Sequence, residues 1–132
     1  LVVATASARG DSYCSLAWGA NLAELSSATD AAGALGGADP DGLNEREHAL
    51  AAWARRTVTD PSSTTQDEVD RLRAAGLSDA DVLSATVFVA MRLAFSTVNA
   101  ALGAAPDQQL LDDAPPEVAQ VVSYGRPVVR QD

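Results

Sequence analysis

Apolar positions recur along this chain at spacings of three and four, interrupted by glycine, proline and capping residues, a rhythm that predicts an all-α domain. Leu1 to Ala8 reads as the end of a helix whose beginning is missing, since an apolar run starts without a cap. Gly10 breaks it, Asp11 is a good N-cap, and a second helix is expected over residues 12–25. Leu16, Ala20 and Ala23 share one side of it, Ser15, Asn21 and Glu24 take more polar positions, and Gly19 permits a close helix neighbour. Residues 26–43, rich in Ala, Gly and Asp, break the period; they begin in helix-compatible residues and end as a turn at Asp39-Pro40-Asp41-Gly42.

Asn44 with Glu47 forms a capping-box pattern, and Leu50, Trp53, Ala54, Thr57 and Val58 then follow at helical spacing until Pro61-Ser62-Ser63. Thr65 with Glu68 opens another helix, turns Val69 and Leu72 inward and closes at Gly76. Ser78 starts the longest element, residues 79–102, ended by Gly103. Its apolar residues, from Val82 to Leu102, lie around nearly the whole circumference, so the helix needs cover on all sides. A chain of this size has few elements to spare, and part of the helix is expected to be buried against another copy of the protein. Beyond Gly103 come Pro106, Leu110-Leu111, Pro115-Pro116, a short helix over residues 117–124, and an extended tail, residues 125–129, whose apolar residues should dock on the body or a neighbour.

The 132 residues suffice for one domain with its own core, and the missing helix start implies that the chain begins inside a longer protein. Eighteen acidic residues oppose nine basic ones, all arginine, for a net charge of -9. Such a surface repels phosphate backbones, and the arginines are scattered, so nucleic-acid binding is not expected. One cysteine forms no internal disulfide, in agreement with a reducing compartment. No leader is visible and no apolar run reads as a membrane span, so a soluble, cytoplasmic protein is expected. Asp39, Asp41 and Gly42 lack the remaining ligand positions of a calcium loop, and neither a metal nor a cofactor is expected.

Chemistry concentrates on Cys14, which falls in the first turn of the helix that Asp11 caps. A helix N-terminus favours an anion by about 0.3 to 1 kcal/mol, less than the ~1.4 kcal/mol of one pKa unit. The carboxylate of Asp11 acts in the opposite direction by a comparable amount. A modestly activated thiol is the most that these terms allow, and a small buried apolar residue is the other reading.

Five segments carry a family resemblance: Ser12-Tyr13-Cys14-Ser15-Leu16-Ala17, Glu45-Arg46-Glu47-His48-Ala49-Leu50, Arg55-Arg56-Thr57-Val58-Thr59-Asp60-Pro61-Ser62-Ser63, Asp70 to Asp79, and the long helix through Phe95, Val98 and Asn99. In their order and spacing they resemble the alkylhydroperoxidase-D-like (AhpD-like), or carboxymuconolactone decarboxylase, family and its peroxidase-related members, over roughly residues 1–107. The resemblance implies an all-α AhpD-like helical domain that forms a homo-oligomer. It also implies peroxidase chemistry on two cysteines two residues apart, a histidine four residues after the second, and an upstream acidic residue. Cys14 matches the second cysteine; Asp11 stands in place of the first and Trp18 in place of the histidine, while the acidic position lies before Leu1. A two-cysteine cycle within one chain is thereby excluded, and resolution of an oxidised Cys14 needs an external thiol reductant.

The candidate catalytic residues are Cys14, Tyr13 and His48. Tyr13 can donate a hydrogen bond to a peroxide oxygen, and His48, the only histidine, can stand in for the missing imidazole if the fold brings it to the thiol. Arg92, inside the apolar helix, needs a partner; Glu45, Glu47 or an acid of a neighbouring subunit are the options. Asn99 is expected to tie its helix to nearby backbone. No hydrolase elbow or phosphate-binding glycine loop is present, Gly33, Gly36 and Gly37 lacking the strand such a loop requires. Two readings follow: a peroxidase-related oxidoreductase with Cys14 as its redox thiol, or a non-catalytic helical oligomer that binds a small ligand or partner beside Cys14 and Trp18. Lactone decarboxylation has no acid or base pair to support it.

Overall fold

The computed structural model describes residues 1–129, and all of the regular elements in that span are helices. They are α1 (Val2–Arg9), α2 (Ser12–Leu25), α3 (Ala28–Leu35), α4 (Glu45–Thr59), α5 (Gln66–Ala74), α6 (Asp79–Ala101), α7 (Gln108–Asp113) and α8 (Pro116–Val121), with a single 3-10 turn at Pro61–Ser63. Local chemistry sets most of the boundaries. Asn44, Thr65 and Ser78 each cap a helix and are capped in return by Glu47, Glu68 and Asp81 three residues on. Gly10 takes φ 73, and its backbone N–H, with that of Asp11, closes the last carbonyls of α1, so the chain turns directly into α2.

Helix α3 is a full element where a helix-compatible stretch and a turn were expected. Ser27 caps it by accepting the N–H of Asp30, and Ala31, Ala34 and Leu35 are buried against Leu16, Ala114 and Val118. Small side chains let α3 and α2 approach closely. A Cβ at Gly19 would sit 2.8 Å from Val118 Cγ1 and 2.9 Å from Leu35 Cδ1, so the absence of one is what admits both neighbours. A second cluster joins α1, α4 and α6 through Ala4, Ala51, Ala54 and Val89. A third packs Trp53 on Leu72 and Leu77, with the Trp53 indole N–H donating to Thr86 Oγ1 at 2.9 Å.

The final short helix ends at Val121, three residues before the expected limit, and the tail docks back on the body. Ser12 Oγ donates to the carbonyl of Arg126 at 2.7 Å, and Val129 pairs with Asp107 in an isolated bridge. At Gly125 φ is 76, and the backbone of Gly10 and Ser12 lies closer than a Cβ allows, so only glycine fits that crossing.

Helix α6 is left largely uncovered by its own chain. Only Ala85, Val89 and Ser96 along it are buried, whereas Leu83, Met91 and Val98, and Leu102 at its C-cap, stand in solvent at 66%, 68%, 55% and 82% of full exposure. At 23 residues it is also long and apolar enough to cross a bilayer, which corrects the expectation that no run is.

Candidate functional site

The corner between α1 and α2 positions the thiol. Asp11 Oδ1 accepts the Cys14 backbone N–H at 3.0 Å, which fixes Cys14 in the first turn, while Asp11 Oδ2 accepts the hydroxyl of Ser96 from α6. Cys14 is 2% exposed. Across from it, Arg92 Nη2 donates to Cys14 Sγ at 3.2 Å. The guanidinium of Arg92 also lies over two rings, 5.9 Å from the centroid of Trp18 and 5.0 Å from that of Phe95. Its partners within the chain are therefore a sulfur and two aromatic faces rather than Glu45 or Glu47, which corrects the expectation for those two acids. A guanidinium binds a flat ring face through its own plane, which is why an apolar helix can carry it without an acid beside it.

Burial pushes the Cys14 thiol up to about 11, helped by the Asp11 charge and by a hydrogen bond to that carboxylate; Arg92 opposes them and is outweighed. The sign follows from desolvation, which penalises the thiolate. At neutral pH the sulfur is therefore protonated. Two polar groups thus face the thiol, the Asp11 carboxylate and the Arg92 guanidinium.

The other candidates fall apart from this pair. His48 Nε2–H donates to the carbonyl of Pro40 at 2.9 Å, so the ring pins the turn before α4 and makes no hydrogen bond to the sulfur. Tyr13 is 37% exposed, on the outer side of α2. With Asp11, Ser96, Asn99, Arg9 and Arg126 it lines a cavity of about 270 Å³. Asn99 makes no side-chain hydrogen bond among the described residues, contrary to its expected tethering role. Trp18, half-exposed, forms the outer wall of the Arg92 site.

Sequence reasoning missed Arg92 as the thiol's partner, Ser96 as the second ligand of Asp11, and Tyr124, whose hydroxyl donates to Ser15 Oγ at 3.0 Å. Burial raises the pKa of Tyr124, so it stays a hydrogen-bond donor. The only available signal for Arg92 was its isolation in an apolar helix. Among the described residues no group of His, Cys, Asp and Glu is arranged to hold a metal ion. No protein-family model matches the chain, and no curated protein matches its sequence.

Proposed function

We propose that this chain is an AhpD-like helical domain that associates with copies of itself and binds a small ligand or protein partner beside Cys14 without turning over peroxide. One observation carries the reading: the sulfur that any such chemistry would use is sealed from solvent and holds its proton up to about 11. Thiolate is the nucleophile, and buried structural cysteines are inert. Trp18 in place of an imidazole supports the same reading, because an indole donates one hydrogen bond and relays no proton. The cavity lined by Asp11, Tyr13 and Asn99, next to Cys14 in sequence although Cys14 itself does not line it, supplies the space for a ligand.

A second reading is supported by the 3.2 Å contact from Arg92 to Cys14 Sγ. In it the chain is a peroxidase-related oxidoreductase of a reducing cytoplasm. Asp11 takes the thiol proton, Arg92 stabilises the thiolate, the sulfur attacks a peroxide oxygen as the O–O bond breaks to give a sulfenic acid, and the proton goes to the leaving oxygen as water or an alcohol. One external thiol then forms a mixed disulfide with loss of water and a second releases Cys14 as the thiol, the two external sulfurs leaving as a disulfide. Hydroperoxide consumption in the presence of dithiothreitol separates the two. The binding reading expects equal, background rates for the native chain and Cys14→Ser; consumption that disappears with the sulfur establishes the oxidoreductase instead.

A further inference from the structure

We infer that the outward face of α6 seats a second copy of this chain, α6 against α6, and that this copy forms the outer wall over Trp18, Arg92 and Cys14. The inference deepens the oligomeric part of the proposed function and holds whether or not Cys14 turns over.

Phe88, Met91, Phe95, Val98 and Leu102 are all exposed, and their spacings of three, four, three and four are those of a seam between two helices. A lone amphipathic helix on a globular surface carries polar residues there instead. With Leu83 and Val87, these side chains keep 41% to 82% of their exposure. With a large apolar side chain offering on the order of 200 Å², they leave roughly 800 Å² open, the share one partner contributes to a standard interface.

Charge selects the occupant. The chain carries -9, yet from Val82 to Leu102 the only charged residue is Arg92, which is turned toward the sulfur. Two copies of an acidic protein can therefore meet on this face without bringing carboxylates together. A bilayer is the poorer occupant: the opposite side of α6 is packed into the domain through Ala85 and Val89, and the acidic surface is repelled by anionic lipid. Trp18 and Phe95 lie half-exposed against Arg92 on this face, so whatever covers α6 also closes the site from outside.

Sedimentation of the whole chain over a range of concentrations tests the inference. The native chain should self-associate, and Met91→Glu with Val98→Glu should be monomeric with unchanged helical circular dichroism. Leu25→Glu, more exposed still but off the face, should assemble like the native chain. Acrylamide should quench Trp18 several-fold more strongly in the monomeric variant than in the native assembly. Should the double variant fail to fold, Met91→Cys in a Cys14→Ala background should form an intermolecular disulfide on oxidation. A native chain monomeric at every concentration overturns the inference, as does assembly that survives the double variant. Monomeric binding to phosphatidylcholine vesicles makes lipid the occupant and also overturns it. Assembly that leaves Trp18 equally quenchable overturns the wall.

Discussion

Helices α2 and α6 are both apolar along most of their length, yet their surroundings differ. Helix α2 packs one side against α1, α3, α7 and α8, with Cys14, Ser15, Leu16 and Gly19 buried there, and keeps Tyr13, Trp18 and Leu25 exposed on the other. Helix α6 touches α1, α4 and α5 along one edge and turns large apolar side chains outward. The size of the side chains separates the two. In α2 the inward positions include Ser15 and Gly19, small enough for neighbours to close over them; in α6 Phe88, Met91 and Phe95 are large enough to need a partner helix of their own. An apolar pattern shows that a helix must be covered, and residue size shows whether its own chain can do it.

The largest expected difference lies within α6 itself. Val89 is fully buried in the cluster with Ala4, Ala51 and Ala54, so Val89→Asp places an unpaired charge in the core and should cost about 4 kcal/mol or more, enough to unfold a marginal domain. Met91→Asp, two residues away and exposed, should leave the melting of the isolated subunit within about 0.5 kcal/mol. Thermal denaturation of the two variants at low concentration checks the contrast; comparable losses would erase the distinction between the faces.

Next comes the tight side of α2. Gly19→Ala gains up to about 1 kcal/mol of helix propensity but forces a methyl against Val118 and Leu35, an overpacking of about 1 to 3 kcal/mol. The net effect should be destabilising by about 1 kcal/mol in urea unfolding, and a stabilised variant would show that α3 and α8 yield easily.

Stability should also fall on the alkaline side. Folding raises the Cys14 pKa from 9.0 to about 11, so the folded state holds its proton more tightly than the unfolded chain. That contribution is complete below about pH 9 and is lost as pH rises through about 11, a change on the order of 2 to 3 kcal/mol. Urea midpoints between pH 8 and pH 11 should show it, and Cys14→Ala should flatten that limb; an unchanged limb would assign it to other groups.

The smallest change proposed concerns the charge beside the sulfur. Asparagine caps a helix as well as aspartate does, so Asp11→Asn keeps the turn while removing the carboxylate that raises the thiol. Its thiol should titrate below that of the native chain, with burial still holding it above an ordinary cysteine. A rise on removing the charge would contradict the assigned cause.

Much of the fold was legible because it is specified locally. The capping residues Asn44, Thr65 and Ser78 and the breaks at Gly10, Gly76 and Gly103 lie within a turn of the ends they define. Helix α3 was harder: its alanines and glycines carry little period, and it is the burial of Ala31, Ala34 and Leu35 that selects the helix, although the Ser27 to Asp30 cap was there to be read. The site was legible in part. Asp11 as cap and Cys14 in the first turn follow from neighbours in sequence, whereas Arg92 reaches the sulfur from 78 residues away and Ser96 reaches Asp11 from 85. Contacts of that kind are set by how α6 lies across the α1–α2 corner, and one sequence does not encode that crossing in any local pattern.

The central claim is that the thiol rests protonated and enclosed beside Asp11 and Arg92, and its own titration tests this most directly. Following the ultraviolet absorbance of the thiolate in the native chain, with Cys14→Ser subtracted, should give a midpoint near 11. A midpoint below that of free cysteine would mean that Arg92 outweighs burial and Asp11 together, and would hand the site to redox chemistry.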